Sequence, residues 1–279
     1  MTTRSLEIAT VVENTARSRG LAGEHGVAFW IVAGARRILF DTGAGAVLAP
    51  NAAALNIDLA QVDAIALSHG HYDHTGGLRT ALEASPRAPV FAHPAAWAPK
   101  YARNRDGTAR YIGAPPEAKP SMHGPAGRAI ATENPTEIAD GLFVTGAIPR
   151  ETDFEDTGGP FFLDADCTQP DPLYDDQAMF FSSPWGTVVI VGCSHAGVIN
   201  TLRYVHRLTS RKPIHAVIGG MHLVSASEER VQQTIEGFRV FGVDRIAPAH
   251  CTGETATRAL RKAFPGKYRR CNAGTKMTF

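Results

Sequence analysis

One short polar run constrains this chain more than any other feature. The sequence HGHYDHTGG begins at His69, directly after the segment 64–68, which has the composition of a buried strand. Three histidines and one aspartate therefore leave a strand end together. The spacing HxHxDH arises by chance in on the order of one in a thousand chains of such composition, so it indicates a site rather than coincidence.

The residue types of this run indicate metal chemistry. Imidazole nitrogens and carboxylate oxygens are ligands for zinc, manganese and iron. We expect His69 and His71 to bind one ion, and Asp73 and His74 to bind a second. If the histidines only capped a loop, three adjacent imidazoles would need separate partners and would repel one another when protonated. The sequence therefore predicts one or two divalent cations, zinc first and manganese or iron as alternatives, with Asp73 also a candidate proton acceptor.

Composition narrows the class of function. The 279 residues are 44% hydrophobic and 20% charged, which is typical of a globular protein with a sizeable core. The formal net charge of +1 gives no excess of positive charge for nucleic acid or an anionic membrane, so a small-molecule substrate is favoured. The four cysteines are scattered and form no CxxC pair, and no segment resembles a signal peptide or a membrane span. These features predict a cytoplasmic protein. A homo-oligomer stays open.

Hydrophobic periodicity predicts an α/β fold. The first part of the chain contains short strands and two helices, predicted at 6–12, 27–33, 37–40 and 63–67 and at 46–55 and 76–85. After residue 178, strands alternate with helices, predicted at 178–182, 187–191, 214–218 and 244–248 and at 197–209 and 227–241. Each of the last two helices has one apolar stripe, so we expect both to lie on a sheet.

Two segments interrupt this pattern. Residues 95–140 are rich in proline and glycine, and residues 151–176 carry nine acidic residues and no lysine or arginine. We expect both to be loop or lid insertions in a single domain spanning 1–279, and their different charge suggests that they face each other. The first insertion also contains four cationic residues that either bind a phosphate or form a solvated surface, namely Lys100, Arg103, Arg105 and Arg110.

The motifs together resemble a known family. Asp41-Thr42-Gly43 ends an earlier predicted strand, and HxHxDH follows a later one, a combination similar to the metallo-beta-lactamase superfamily. The segments EHG at 24–26, HGHYDHTGGL, GCSHAG, IGGMHL and PAHCTG resemble the branch that contains the dihydropterin-ribofuranosylaminobenzene-phosphate synthases of methanopterin biosynthesis. The resemblance extends from about residue 20 to 255. It implies a four-layer αββα sandwich of two mixed β-sheets flanked by helices, with metals at one edge between the sheets.

The resemblance also implies further site residues. His195, His222 and His250 each follow a predicted strand, and by resemblance His195 and His250 complete the coordination of the two cations. For His222, a metal ligand and a substrate-facing residue are both open alternatives.

Three other positions have roles implied by the family pattern. Asp41 resembles the aspartate that holds the ligand loop by hydrogen bonds without touching metal. Cys193 stands where most members have a bridging aspartate, and it is either a thiolate ligand or a buried, inert thiol. His25 is a candidate substrate contact.

The functional expectation follows from these residues and the resemblance. It is a metal-dependent hydrolase or transferase that acts on an anionic, phosphate-bearing small molecule, with a pterin-related compound among the candidates. In the branch that the chain resembles, a pterin-methyl diphosphate loses pyrophosphate to an arylamine-ribose phosphate. The alternative is a metabolite sensor that kept the metal site without useful catalysis. Redox chemistry at a di-iron centre is a weaker alternative, because no flavodoxin-like domain is appended.

Overall fold

Two β-sheets stack face to face in the computed structural model, which describes residues 5–116 and 129–279. The first sheet has seven strands in the order β16-β1-β2-β3-β4-β5-β8. Their bounds are Leu6–Val12 (β1), Ala28–Ala33 (β2), Arg36–Phe40 (β3), Ala64–Ala66 (β4), Val90–Ala92 (β5), Ala129–Ala131 (β8) and Lys276–Thr278 (β16). Strands β3, β4, β5 and β8 are parallel neighbours, so their carboxyl ends lie at one edge.

The second sheet has six strands in the order β15-β14-β13-β12-β10-β9. Their bounds are Thr136–Ala139 (β9), Leu142–Val144 (β10), Ala178–Ser183 (β12), Gly186–Val191 (β13), Ile214–Gly220 (β14) and Arg245–Ala249 (β15). Strands β13, β14 and β15 are parallel. A small third sheet contains Tyr101–Arg103 (β6), Ala109–Tyr111 (β7) and Phe161–Phe162 (β11).

Strand alternation explains the layers. In β2, Phe29 and Ile31 belong to the core between the sheets, whereas Ala28 and Trp30 belong to the cluster on the outer face of the first sheet. The outer cluster includes residues of α1 (Leu48–Ala54) and α3 (Leu78–Ala84). The outer face of the second sheet packs against three helices, Val198–Leu208 (α4), Glu228–Val240 (α5) and Glu254–Ala263 (α6).

This arrangement confirms the predicted four-layer αββα sandwich, and the predicted strands and helices after residue 178 begin and end within three residues of the observed ones. No helix in the described part of the chain has the length and apolarity to cross a bilayer.

The structure differs from the sequence prediction around the two insertions. A short helix, Tyr72–Thr75 (α2), begins within the histidine run, ahead of the helix predicted from residue 76. The predicted insertion 95–140 is too long, because β8 and β9 complete edges of the two large sheets. Its residues 117–128 lie outside the described part. The expectation that the two insertions face each other agrees with the pairing of β6 with β11.

The core between the sheets gives a direct test of the fold. Phe181 is 1% exposed on β12 and packs between the sheets. Phe181→Ala should lower the free energy of unfolding by about 3–5 kcal/mol, because it leaves a cavity that the sheets cannot close. Val240→Ala, at a position 83% exposed, should change it by no more than about 0.5 kcal/mol. Urea unfolding measures both, and equal midpoints would contradict the described core.

Candidate metal centre

Asp41 fixes the loop that carries the histidine run. It follows β3, which lies beside β4, and it is fully buried with φ of 60°. Its Oδ1 accepts a hydrogen bond from the backbone N–H of Ser68 at 2.7 Å. Its Oδ2 accepts one from the Ser68 hydroxyl and one from Nδ1 of His74, both at 2.7 Å. One carboxylate therefore holds both ends of the loop.

The turn between His69 and His71 is fixed from the opposite side. The N–H of Gly70 donates to Oδ2 of Asp175 at 2.7 Å. A Cβ at residue 70 would lie 2.1 Å from the carbonyl oxygen of Ala96, so only glycine fits here. The ring centroids of His69 and His71 lie 4.6 Å apart as a result.

His195 reaches the same point from the second sheet. It follows β13, and its Nδ1 donates to the carbonyl oxygen of Thr157 at 2.7 Å, which leaves Nε2 deprotonated and able to bind a cation. The Nε2 atoms of His71 and His195 are both buried and have no hydrogen-bond partner. One ligand atom from each of His69, His71 and His195 lies within 4.8 Å of the others. These unpaired buried nitrogens fit a metal ion.

A second group lies beside the first. Oδ2 of Asp73 is 3.1 Å from Nε2 of His250, 3.1 Å from Nε2 of His25 and 3.8 Å from Nε2 of His74. The Nε2 of His74 is 3.1 Å from Sγ of Cys193. The sulfur of Cys193 also lies within 4.8 Å of ligand atoms of the first group. Cys193 thus occupies the position between the two groups.

His250 is held by residues that the sequence analysis did not identify. Its backbone N–H donates to Oε1 of Glu13 at 2.8 Å, and its Nδ1 lies 2.8 Å from Oδ1 of Asn14. Both residues follow β1, which ends at the same edge of the first sheet as β3. The signal in the sequence was a glutamate directly after the apolar strand, at a position that the structure buries.

His222 lies beside the centre with one unused ring nitrogen. Its ring centroid is 4.3 Å from that of His195, and its Nδ1 is buried without a partner. Its backbone N–H donates to Sγ of Cys251. A Cβ at Gly158 would lie 1.8 Å from Cδ2 of His222, so the acidic insertion closes directly over this ring. His222 therefore joins the centre to the insertion.

Burial and neighbouring charges shift the pKa values of His69, His71, Asp73 and His195. Burial lowers the pKa of His71 to about 3 and holds the pKa of His69 and His195 well below the usual histidine range. Burial would raise the pKa of Asp73, but the neighbouring His74, together with the close contacts of His25 and His250, outweighs it and lowers the pKa. These groups are therefore neutral imidazoles and an anionic carboxylate near neutral pH.

The centre opens into a cleft of about 360 Å³. Tyr72, Ile112 and Phe161 supply an apolar wall, and His25 lies at the opening with its side chain 60% exposed. Arg110 contributes a positive charge to the lining. Because Arg110 and Phe161 come from the two insertions, these segments form a wall of the cleft.

The four cationic residues of the first insertion do not form one phosphate site. Lys100 is fully buried, and its Nζ donates to Asp171 at 2.8 Å and to Asp175 at 2.9 Å. Burial would lower the pKa of Lys100, but the two carboxylates outweigh it and raise the pKa. Arg103 donates to the carbonyl oxygen of Cys167 at 2.6 Å. Lys100 thus has a structural role, and it shares Asp175 with the ligand loop.

Comparisons with known proteins identify the family and the fold of this chain. The family model of the metallo-beta-lactamase superfamily matches residues 22–250. The 7,8-dihydropterin-6-methyl-4-(β-D-ribofuranosyl)-aminobenzene-5'-phosphate synthase of Methanocaldococcus jannaschii is 31% identical, over 92% of this chain and 90% of its own. The solved structure of Tm1679, described as a metal-dependent hydrolase of the β-lactamase superfamily, has a TM-score of 0.82 at 30% identity and covers 98% of both chains. Zn²⁺-bound PqqB from Methylobacterium extorquens shares the fold, with a TM-score of 0.58 at 13% identity over 97% of this chain and 99% of its own.

The lowered histidine pKa values predict an acid-sensitive metal-free protein. The pKa of His71 is 6.5 in the unfolded chain and about 3 in the folded protein. The contribution of the neutral His71 ring to the free energy of unfolding is therefore complete above pH 6.5 and is lost as the pH falls towards 3. The loss is about 1.4 kcal/mol per pH unit in this window. His71→Gln should therefore flatten the dependence of the urea midpoint on pH between 6.5 and 4. Asp176, whose pKa burial raises to about 7, acts in the opposite direction, but it is present in both proteins and cancels in the difference. Parallel curves would contradict the prediction.

The buried ion pairs of Lys100 give a second test. Lys100→Met leaves two buried carboxylates without their cation, so the free energy of unfolding should fall by about 3–5 kcal/mol. Lys262→Met, at an exposed position, should leave it nearly unchanged. Thermal or urea unfolding of the two variants measures the difference, and a loss below about 1 kcal/mol for Lys100→Met would show that the network contributes little.

Proposed function

The chain belongs to the metallo-beta-lactamase superfamily, and on that basis we propose that it is a metal-dependent enzyme acting on a phosphate-bearing small molecule. The observation that carries the proposal is the convergence of imidazole, carboxylate and thiol groups from the strand ends of both sheets, within coordination reach of one another. Buried ring nitrogens without a partner are uncommon in folded proteins, and here those of His71, His195, His222 and His250 lie at one place.

We assign the ligands by their grouping. His69, His71 and His195 would hold one cation, and Asp73, His74 and His250 would hold the second, with Cys193 between them. Nitrogen and sulfur donors suit zinc first, with manganese or iron as alternatives. A cation bound here supplies Lewis acidity towards a phosphoryl oxygen and lowers the pKa of bound water.

The chain's own residues would orient the reaction. The Asp41 carboxylate and the Thr157 carbonyl fix the rings of His74 and His195 through Nδ1, so that their Nε2 atoms point inward. Oδ2 of Asp73, held anionic, is the candidate proton acceptor. His25, exposed at the opening, is positioned to contact substrate. His222 faces the cleft, where it can donate a proton to, or orient, a leaving oxygen.

The substrate class follows from the cleft and the named relative. A flat ring system fits against Ile112 and Phe161, and Arg110 suits an anionic group. The M. jannaschii relative is named as a synthase of a pterin-linked ribofuranosylaminobenzene 5'-phosphate. We propose a pterin-related phosphate compound as the substrate, acted on by the whole chain, 1–279, as one domain.

One ligand substitution tests the metal proposal. His71→Ala should reduce both retained metal and turnover, the latter by more than about 100-fold, beyond the effect typical of residues that only orient a ligand. His206→Ala is the matched control, because His206 lies on α4 against Phe241, with ring centroids 5.5 Å apart, away from the centre. Elemental analysis of purified protein gives the metal content. Full activity of His71→Ala would refute the proposal.

The reaction type is decided by a second comparison. A pterin-methyl diphosphate is incubated with the metal-loaded protein, with and without an arylamine ribose 5-phosphate. Coupling of the two with release of pyrophosphate indicates a transferase. Cleavage of the diphosphate by water, or of a phosphodiester to a phosphate monoester and an alcohol, indicates a hydrolase. Tight binding of one such compound without turnover of any would indicate a sensor instead and would contradict the enzyme proposal.

A further inference from the structure

A second cavity adjoins the metal cleft. It has a volume of about 600 Å³ and lies between the end of β1, the start of α6 and the segment 268–272. Asn14, Val224 and His250 line both this cavity and the cleft. The two spaces therefore adjoin at His250, and we call the second one the arginine cavity.

The lining of the arginine cavity carries an excess of positive charge. Four arginines line it, against two glutamates, and both glutamates are already engaged. Glu13 accepts hydrogen bonds from the N–H of His250 and from Thr15, and Glu254 is paired with Arg258. The arginines that no carboxylate of the lining neutralises are Arg17, Arg261 and Arg270.

Two of these arginines are available to a ligand. Within the described part of the chain, neither Arg17 nor Arg270 makes a hydrogen bond or ion pair. Arg261 lies over the ring of Tyr268, 6.0 Å from its centroid, which leaves its N–H groups unpaired in the described part as well. Guanidinium groups bind phosphate through paired N–H donors, and a concave site with a net positive charge concentrates anions.

We propose that the arginine cavity binds a phosphate monoester carried by the substrate, held by Arg17 and Arg270 with Arg261, while the reacting end lies at the histidine centre. This inference rests on the proposed function, in which the substrate bears a phosphate. The competing site for that phosphate is the cleft itself, where Arg110 lines the wall. The arginine cavity is favoured because its cations are more numerous and because it lies to one side of the reacting centre.

The test compares binding of ribose 5-phosphate with that of ribose to the metal-loaded full chain by titration calorimetry. Wild type should bind ribose 5-phosphate more tightly than ribose. Arg17→Ala/Arg270→Ala should weaken ribose 5-phosphate binding by about tenfold or more, with metal content unchanged. The control Arg19→Ala/Lys262→Ala also removes two positive charges at exposed positions, but outside the cavity, and should bind as wild type does.

Three results would overturn the inference. The first is that the control variant binds ribose 5-phosphate as weakly as Arg17→Ala/Arg270→Ala does. The second is that Arg110→Ala loses binding of ribose 5-phosphate whereas Arg17→Ala/Arg270→Ala keeps it. The third is that inorganic phosphate competes equally well in wild type and in the double variant, which would place the phosphate on the metals.

If an active substrate is found, the double variant should raise KM for the phosphorylated compound and leave kcat within about twofold, because the phosphate does not react. Unchanged KM would refute the arginine cavity while the enzyme proposal stands. Arginine-dependent binding without any turnover would refute the enzyme proposal alone.

Discussion

The hydrogen bonds of one buried carboxylate underlie the arrangement of the whole centre. Asp41 accepts from the Ser68 backbone, the Ser68 hydroxyl and the His74 ring, so it couples the end of β3 to the loop after β4. The loop can then present the four side chains proposed as ligands, which are those of His69, His71, Asp73 and His74, towards one place. A buried carboxylate is stable only when its oxygens are fully hydrogen-bonded, and here three donors satisfy it. The same contacts fix which nitrogen of His74 remains available.

The remaining ligands depend on topology. Parallel strands place their carboxyl ends at one edge, and both sheets of the sandwich contain such strands, so residues far apart in sequence meet there. Each late ligand has its own fixed partner, such as the Thr157 carbonyl for His195 and Asn14 for His250. The two insertions add the wall of the cleft, and the buried Lys100 network ties that wall to the ligand loop through Asp175.

Much of this could be predicted from the sequence, for physical reasons that also explain the omissions. Regular apolar periodicity identified the long strands and helices, and the dense HxHxDH spacing identified the centre. The sequence does not predict α6, because little more than Ala256 and Leu260 forms its buried face. It does not predict β16 either, because Lys276 and Thr278 are exposed and only the pairing with β1 defines this strand. Glu13 was missed because a single polar residue after a strand carries no spacing pattern. Lys100 was interpreted as a surface or phosphate-binding residue, because nothing local reveals partners more than 70 positions away.

The contact between Glu13 and His250 joins groups 237 positions apart, and it has a consequence for biosynthesis. On the ribosome, the histidine run emerges long before β15, so the early part of the chain holds four of the six proposed ligands. The last proposed ligand can be fixed only after residue 250 has been synthesised and has folded against the segment that follows β1. Tight binding of a metal at the proposed centre would therefore have to wait for β15, and a product that ends before it would lack part of the centre.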